Sequence, residues 1–217
     1  MNARIAREFE EKQKELSPGQ RYEITKKRLN KDSLIQNTGS ATIANLQKSY
    51  SKLSAETLEN ITSIILSSNR KYVAAFRGAA CCAQYMVSKL LFLTPNVTPI
   101  TQGDSTALER LMDIDENDCL ILYSFPRYSE INFALIDLAR ERKAKIVLIT
   151  DQVTSPLANK ADIVVTANVQ GLGFTNSYVV PISISEMIVL AVSEQNDVAN
   201  RNRMKQIDEI VGKHRLY

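Results

Sequence analysis

Five short apolar runs, separated by segments in which apolar residues recur at helical spacing, constrain this chain more than any other feature of its sequence. The runs are Tyr72–Phe76, Val97–Ile100, Cys119–Tyr123, Lys145–Thr150 and Ile163–Thr166. Between the first four lie Ala83/Met86/Leu90/Leu93, a weaker segment at Leu108–Met112, and Ile131/Ala134/Leu135/Leu138. Strands alternating with helices at starts roughly twenty-five residues apart predict βαβ units and a parallel sheet. The runs at 119–123 and 145–150 are apolar without alternation, as strands covered on both faces must be. The stretch from Thr150 to Ile163 is too short for a long helix and predicts a loop with one turn.

Flanking segments complete the layers. Ser54 can cap a helix that carries Leu58, Ile61, Ile64 and Ile65 on one face. Beyond Gly171-Leu172-Gly173, Ile184, Met187, Ile188 and Ala191 share another helix face, and a charged helix near 198–213 closes the chain. The fold class is therefore α/β: a three-layer α/β/α, doubly wound, five-stranded parallel sheet over residues 51–217, with an N-terminal helical arm over 1–50. In that arm, Pro18-Gly19 and Asn37-Thr38-Gly39-Ser40 read as turn signals between short helices, and no independent core is visible.

Charge and cysteines narrow the setting. Of a net charge of +3, residues 1–52 hold eleven Lys/Arg against six Asp/Glu, so the arm carries +5 and the remainder −2. A basic arm beside a near-neutral body suits either a nucleic-acid contact or a solvated linker. No run of eighteen apolar residues predicts a membrane span, and the first residues lack the apolar core of a secretory signal. Three cysteines, with Cys81 and Cys82 adjacent, make a poor disulfide framework; the expectation is a cytoplasmic protein with no membrane partner. Cys81-Cys82 is read as two buried small side chains at a helix start rather than a metal or redox site.

In an open parallel sheet, ligands sit beyond the carboxyl ends of the strands, where loops converge and helix N-termini offer free N–H groups. That rule selects three loops: Arg77-Gly78-Ala79-Ala80, Ser124 to Ser129, and Thr150 to Ser155. The second places two hydroxyls, Ser124 and Ser129, and the Arg127 guanidinium within six residues just before a helix. Ser129 can cap that helix, while Arg127 can fork onto two phosphate oxygens. A phosphate monoester site and an ordinary capped helix with Arg127 in solvent fit these residues equally. Arg77 ends the first strand, and Gly78 marks a close backbone approach. Asp151 could accept sugar hydroxyls or cap its own loop. Glu186 is the one carboxylate on the apolar helix after Pro181, a general base or simply a polar helix-start residue.

Several chemistries are missing. Neither GxxxxGK[ST] nor GxGxxG follows any strand, which removes the usual nucleotide anchors. The only histidine, His214, lies near the C-terminus, which removes Ser-His-Asp and Cys-His catalysis and most zinc sites. No cofactor and no metal are expected.

The stretch ILYSFPRYS at Ile121–Ser129, the run from Ala139 to Asp151 ending in IVLITD, Ser155-Pro156-Leu157-Ala158 and Ala161-Asp162 together resemble the SIS (sugar isomerase) domain of RpiR/MurR-type transcriptional regulators. Phe76-Arg77 and the helix after it resemble that family's first ligand loop. The likeness covers roughly residues 50–217. It implies self-association as a homodimer or homotetramer and sugar-phosphate binding at the strand ends. It places Ser124 and Ser129 on the phosphate-loop hydroxyls and Arg127 and Tyr128 on the regulator branch. Glu186 falls near the position of the catalytic base in isomerase members. Ala79 stands where the family usually has a serine, so one hydroxyl to phosphate is lost. Such regulators begin with a helix-turn-helix domain, whereas the first fifty residues here resemble the family's linker; DNA contact is expected only through a helix-turn-helix domain not present in this chain.

The leading expectation is thus a phosphosugar-binding effector domain that controls carbohydrate-metabolism genes and performs no catalysis. Its ligand set is Arg77 and Gly78, then Ser124, Arg127, Tyr128 and Ser129, then Asp151 and Ser155, with Glu186 beside them. The alternatives are a stand-alone sugar-phosphate isomerase using Glu186, and a domain kept only for assembly because Ala79 has weakened the site.

Overall fold

The computed structural model describes residues 16–28, 31–195 and 197–215. Residues 1–15 of the expected arm lie outside the described residues. Five parallel strands form one sheet: β1 (Lys71–Ala75), β2 (Val97–Ile100), β3 (Cys119–Tyr123), β4 (Lys145–Thr150) and β5 (Ile163–Thr166). Their order is β2-β1-β3-β4-β5, so the chain reverses direction across the sheet between β1 and β3. Register runs Lys71 opposite Cys119 and Ala75 opposite Tyr123, which brings the carboxyl ends of β1 and β3 level. Every residue of β1 and β3 is buried, which for β3 is the reason it reads as apolar without alternation. Pro99 lies in β2, where the missing N–H is tolerated because that strand is at the edge.

Alternate side chains feed two cores. Val73, Ala75, Ile121, Tyr123, Val147 and Ile149 face one layer, packing against α3 (Ala55–Ser67), α4 (Ala80–Leu90) and α7 (Val179–Gln195) through Ile61, Ile65, Met86, Leu90, Ile184 and Ile188. Tyr72, Ala74, Leu120, Leu122, Ile146 and Leu148 face the other, against α5 (Ser105–Leu111) and α6 (Glu130–Glu141). The charged closing helix is α8 (Asp197–His214). A single turn at Ala158–Lys160 links β4 to β5, as the spacing required. Ser54 caps α3, its Oγ accepting from the Thr57 N–H at 3.1 Å.

The arm departs from expectation. Both turn signals lie inside helices: α1 (Pro18–Arg28) and α2 (Leu34–Tyr50). Pro18 occupies the first helical position, where its absent N–H costs nothing. Ser17 and Gln20 reciprocally cap the start, Ser17 N–H to Gln20 Oε1 at 2.9 Å and Gln20 N–H to Ser17 Oγ at 3.3 Å. Asn37–Ser40 stays helical because tertiary contacts outweigh local turn preference. Thus Asn45 Nδ2 donates to the Gln170 carbonyl at 2.6 Å, Ser49 Oγ accepts from the Asn168 N–H at 3.1 Å, and the Tyr50 hydroxyl reaches Ser183 of α7. Another correction concerns the cysteine pair: Cys82 is buried but Cys81 is exposed.

At the opposite end of the sheet from the ligand loops, Asp118 ties the starts of β1 and β3 together. Its carboxylate is 1% exposed and accepts the backbone N–H groups of Arg70 and Asp115 at 2.9 and 3.0 Å. The Arg70 guanidinium completes the shell at 2.7 Å. Asp118→Ala strips an acceptor from two backbone donors and a guanidinium at once, so unfolding in urea should lose about 3 kcal/mol. A loss under 1 kcal/mol would show that the pairing of β1 with β3 does not need this carboxylate.

Candidate functional site

A cavity of about 480 Å³ opens at the carboxyl ends of β1 and β3, the place where the strand order reverses and where open α/β sheets bind ligands. The turn after β1 supplies Phe76, Arg77, Gly78 and Ala79; the end of β3 and its loop supply Tyr123, Phe125, Pro126 and Arg127. Ser129 and Asn132 come from the start of α6, Thr175, Asn176 and Tyr178 from the loop before α7, and Pro18 from α1. Two guanidinium side chains therefore border the cavity, and no carboxylate or imidazole does among the described residues.

Two of the five non-glycine residues with positive φ among the described residues lie in these loops. Arg77 and Arg127 both have positive φ, 57° and 67°, without being glycine, a conformation that costs on the order of 1 kcal/mol for a residue with a Cβ. Both side chains are exposed at the rim. In this bend the chain after β1 tightens into a single turn at Arg77–Ala79 that leads into α4. Ser129 begins α6 in extended conformation, yet its hydroxyl makes no cap hydrogen bond, contrary to the capping role expected of it. The Ser129 hydroxyl lines the cavity, and the positive end of the α6 dipole is directed there.

Polar depth comes from a residue the sequence reading passed over. Asn132 is 5% exposed, its Nδ2 donates to Ser124 Oγ at 2.7 Å, and its Oδ1 has no protein partner. A buried amide carbonyl left without a donor costs roughly 1–3 kcal/mol, and this one belongs to a residue of the cavity wall. The signal was present: Asn132 lies one turn before Leu135 and Ile136 on the buried face of α6, and a polar residue in an apolar stripe asks for a partner. Thr175 and Asn176, in an irregular loop, offered no comparable signal.

The expected ligand residues divide. Arg77, Gly78, Arg127 and Ser129 meet at the cavity, and Ala79 stands in its wall, 6% exposed, where a serine would have added a hydroxyl. Ser124 does not line it; 1% exposed, it lies behind Asn132 and orients that amide. Tyr128, Asp151 and Ser155 form a separate cluster. The Tyr128 hydroxyl donates to Asp151 Oδ1 at 2.6 Å, with the buried Ser155 beside it. Tyr128 follows the positive-φ Arg127 and is not among the residues lining the cavity. Glu186, half-buried on α7, accepts the Tyr85 hydroxyl of α4 across the helix seam and does not reach the cavity lining. Gly78 has a steric reason: a Cβ there would lie 2.9 Å from Cε2 of Tyr178, whose ring also packs at 5.9 Å on Phe125.

Comparison with known proteins adds the following. The profile of the SIS domain family matches residues 64–191. No curated protein sequence matches the chain. The sugar isomerase domain of an RpiR transcription factor from Sphaerobacter thermophilus superposes with a TM-score of 0.78 at 24% identity, covering 82% of this chain and 99% of that one. The Vibrio vulnificus NanR protein complexed with ManNAc-6P gives 0.70 at 15%, covering 82% and 68%. A phosphoheptose isomerase from Francisella tularensis gives 0.64 at 16%, covering 76% and 100%. At these identities the likenesses establish a shared fold.

The Tyr128–Asp151 pair has a pH signature. Burial, and then the Asp151 carboxylate that accepts its proton, push the Tyr128 phenol well above its ordinary value. The folded state keeps a proton that the unfolded chain releases near pH 10, so this stabilisation is full below pH 10 and is lost as pH rises beyond it. Tyr128→Phe should cost about 1–2 kcal/mol at pH 7, flatten the alkaline fall in stability, and leave ligand affinity unchanged. A tenfold drop in affinity would place Tyr128 at the ligand after all.

Proposed function

Because the chain belongs to the SIS domain family, we propose that it binds a sugar phosphate between the ends of β1 and β3 as the sensing domain of an RpiR-type transcriptional regulator of carbohydrate metabolism. The observation that carries this reading is the division of chemistry within one cavity. Its mouth has two arginines, an uncapped serine hydroxyl and a helix N-terminus, which suit a dianion. Its depth has the orphaned Asn132 carbonyl, with Asn176 and the Tyr178 hydroxyl nearby, which suit a polyol. A phosphate joined to a sugar satisfies both ends at once; inorganic phosphate satisfies only the first.

Likeness to an RpiR sugar isomerase domain and to NanR in complex with ManNAc-6P supports the sensing role. A phosphoheptose isomerase shares the fold as well, so turnover is the competing reading. Aldose–ketose interconversion needs a base within hydrogen-bond reach of the carbon acid's proton. Glu186 is engaged by Tyr85 outside the lining, which favours binding without turnover. Self-association into a dimer or tetramer would carry the ligand signal, and DNA contact in such a regulator belongs to a helix-turn-helix domain rather than to this sheet.

A panel of sugar phosphates read by thermal melting tests the proposal. At a hundredfold excess over Kd, binding adds about 2.7 kcal/mol, a rise of roughly 5–10 °C for a chain of this size. Arg127→Ala should remove the rise and Glu186→Gln should leave it. No response across the panel would end the sensing account, and isomerisation that Glu186→Gln abolishes would replace it with the enzymatic one.

A further inference from the structure

A second cavity, of about 340 Å³, lies behind the first, between α2 and the irregular segment that follows β5. Leu34, Thr38, Ala41, Thr42 and Asn45 of α2 line one side of it, and residues 170–173 and 175–177 line the other. Thr175 and Asn176 border both cavities, so one stretch of chain is the partition between them. Unfilled space on both sides leaves that partition room to shift. Its attachments are specific at each end. At one end, Ser49 Oγ accepts the Asn168 N–H at 3.1 Å, Asn45 Nδ2 donates to the Gln170 carbonyl at 2.6 Å, and Asn168 Nδ2 donates to Asn45 Oδ1 at 2.9 Å. Asn168 Oδ1 accepts the Gln170 N–H at 2.9 Å, so both amide side chains are engaged through nitrogen and oxygen alike. A polar network so fully met fits one placement of the segment on α2. Helix α2 depends on it, because only Ser49 is buried there and only Leu46 packs on the core. At the other end, Tyr178 lies against Gly78, where a Cβ would come within 2.9 Å of its Cε2, and its ring packs at 5.9 Å on Phe125. The Ser177 N–H donates to the Val169 carbonyl at 2.8 Å and ties the two ends together.

We propose that the segment from Asn168 to Tyr178 transmits occupancy of the front cavity to α2, with the rear cavity as the space into which it relaxes when no anion is bound. The inference rests on the anion-binding reading above and names the route by which that site is regulated. An anion ordering the turns after β1 and β3 fixes Gly78 and Phe125, the two contacts of the Tyr178 ring. A fixed Tyr178 holds the partition forward, and the partition held forward keeps Asn168 and Gln170 in register with Asn45 and Ser49. Without the anion, the partition can fall back toward α2, which spoils the register of that network and loosens the helix. One element thus has two placements, and each site biases the choice between them. Linkage requires reciprocity: whatever factor docking of α2 adds to anion affinity, the anion adds to docking of α2.

The test uses the whole chain with inorganic phosphate as probe, at constant ionic strength set with chloride. Calorimetric titration gives affinity, and hydrogen exchange over residues 34–50 gives docking of α2. Phosphate should slow exchange across α2 in the parent chain. Asn45→Ala and Ser49→Ala, neither of which touches the front cavity, should each weaken phosphate binding about fivefold and remove the slowing. Ala41→Leu fills the rear cavity and props the partition from behind. It should slow exchange across α2 before phosphate is added and tighten phosphate binding about threefold. A network with a merely structural role would lower the melting temperature of the first two variants and leave phosphate affinity alone in all three. That result, or a parent chain that binds phosphate with no change over residues 34–50, overturns the transmission and leaves the anion site standing. A parent chain that binds no phosphate removes the anion site, and the transmission with it.

Discussion

The pairing of β1 with β3 organises everything else in this molecule. Because β2 is added on one side of β1 and β3 on the other, the helices that follow β1 and β3 leave on opposite faces. α4 joins the layer of α3 and α7, and α6 joins that of α5. Two chains diverging from adjacent strand ends cannot fill the space between them, and that unfilled wedge is the cavity. At the far end of the same strands Asp118 holds Arg70 and Asp115 through buried, charge-assisted contacts, fixing the register that brings Ala75 level with Tyr123. Site geometry is in this sense a consequence of an anchor at the other edge of the sheet.

What the wedge contains is costly without a ligand. Arg77 and Arg127 adopt left-handed backbone where glycine would be comfortable, and the buried Asn132 carbonyl has no donor among the described residues. Each costs on the order of 1 kcal/mol. Such costs concentrate at binding sites because bound ligand recovers them. Ala79 works the other way: it leaves a bare wall where a serine would have added a hydroxyl, so the polar groups of that side of the cavity come from Arg77 and Arg127.

The layered sheet was legible in the sequence because parallel central strands must be apolar on both faces, and the five runs announced themselves with no more than a one-residue shift at β1. Arg77, Gly78, Arg127 and Ser129 were legible for a geometric reason, since carboxyl-end loops converge. Resolving which neighbours share the cavity was not possible from residue type. Tyr128 is adjacent to Arg127 in sequence, yet a single left-handed residue turns it toward Asp151. Glu186 has the chemistry of a base, but its helix position gives it to Tyr85. The arm was misjudged for a related reason: turn-forming residues at 37–40 were overruled by contacts to Gln170, Asn168 and Ser183, partners that lie more than a hundred residues away in sequence and leave no local trace.

Those long-range contacts join the arm to the site through a single piece of chain. The segment 168–178 donates from Asn168 to Ser49 and Asn45 of α2 and accepts from Asn45 at Gln170 near its start, and it accepts from Arg21 of α1 at Asn176 near its end; Thr175, Asn176 and Tyr178 form one wall of the cavity. Gly171 and Gly173 soften the backbone between these attachment points. Displacing the arm must therefore displace the wall of the cavity. The ends of β1 and β3 form one side of the cavity, and the segment tied to the arm forms the other. In the proposed sensing role, occupancy of the cavity would reach the N-terminal helices through this segment.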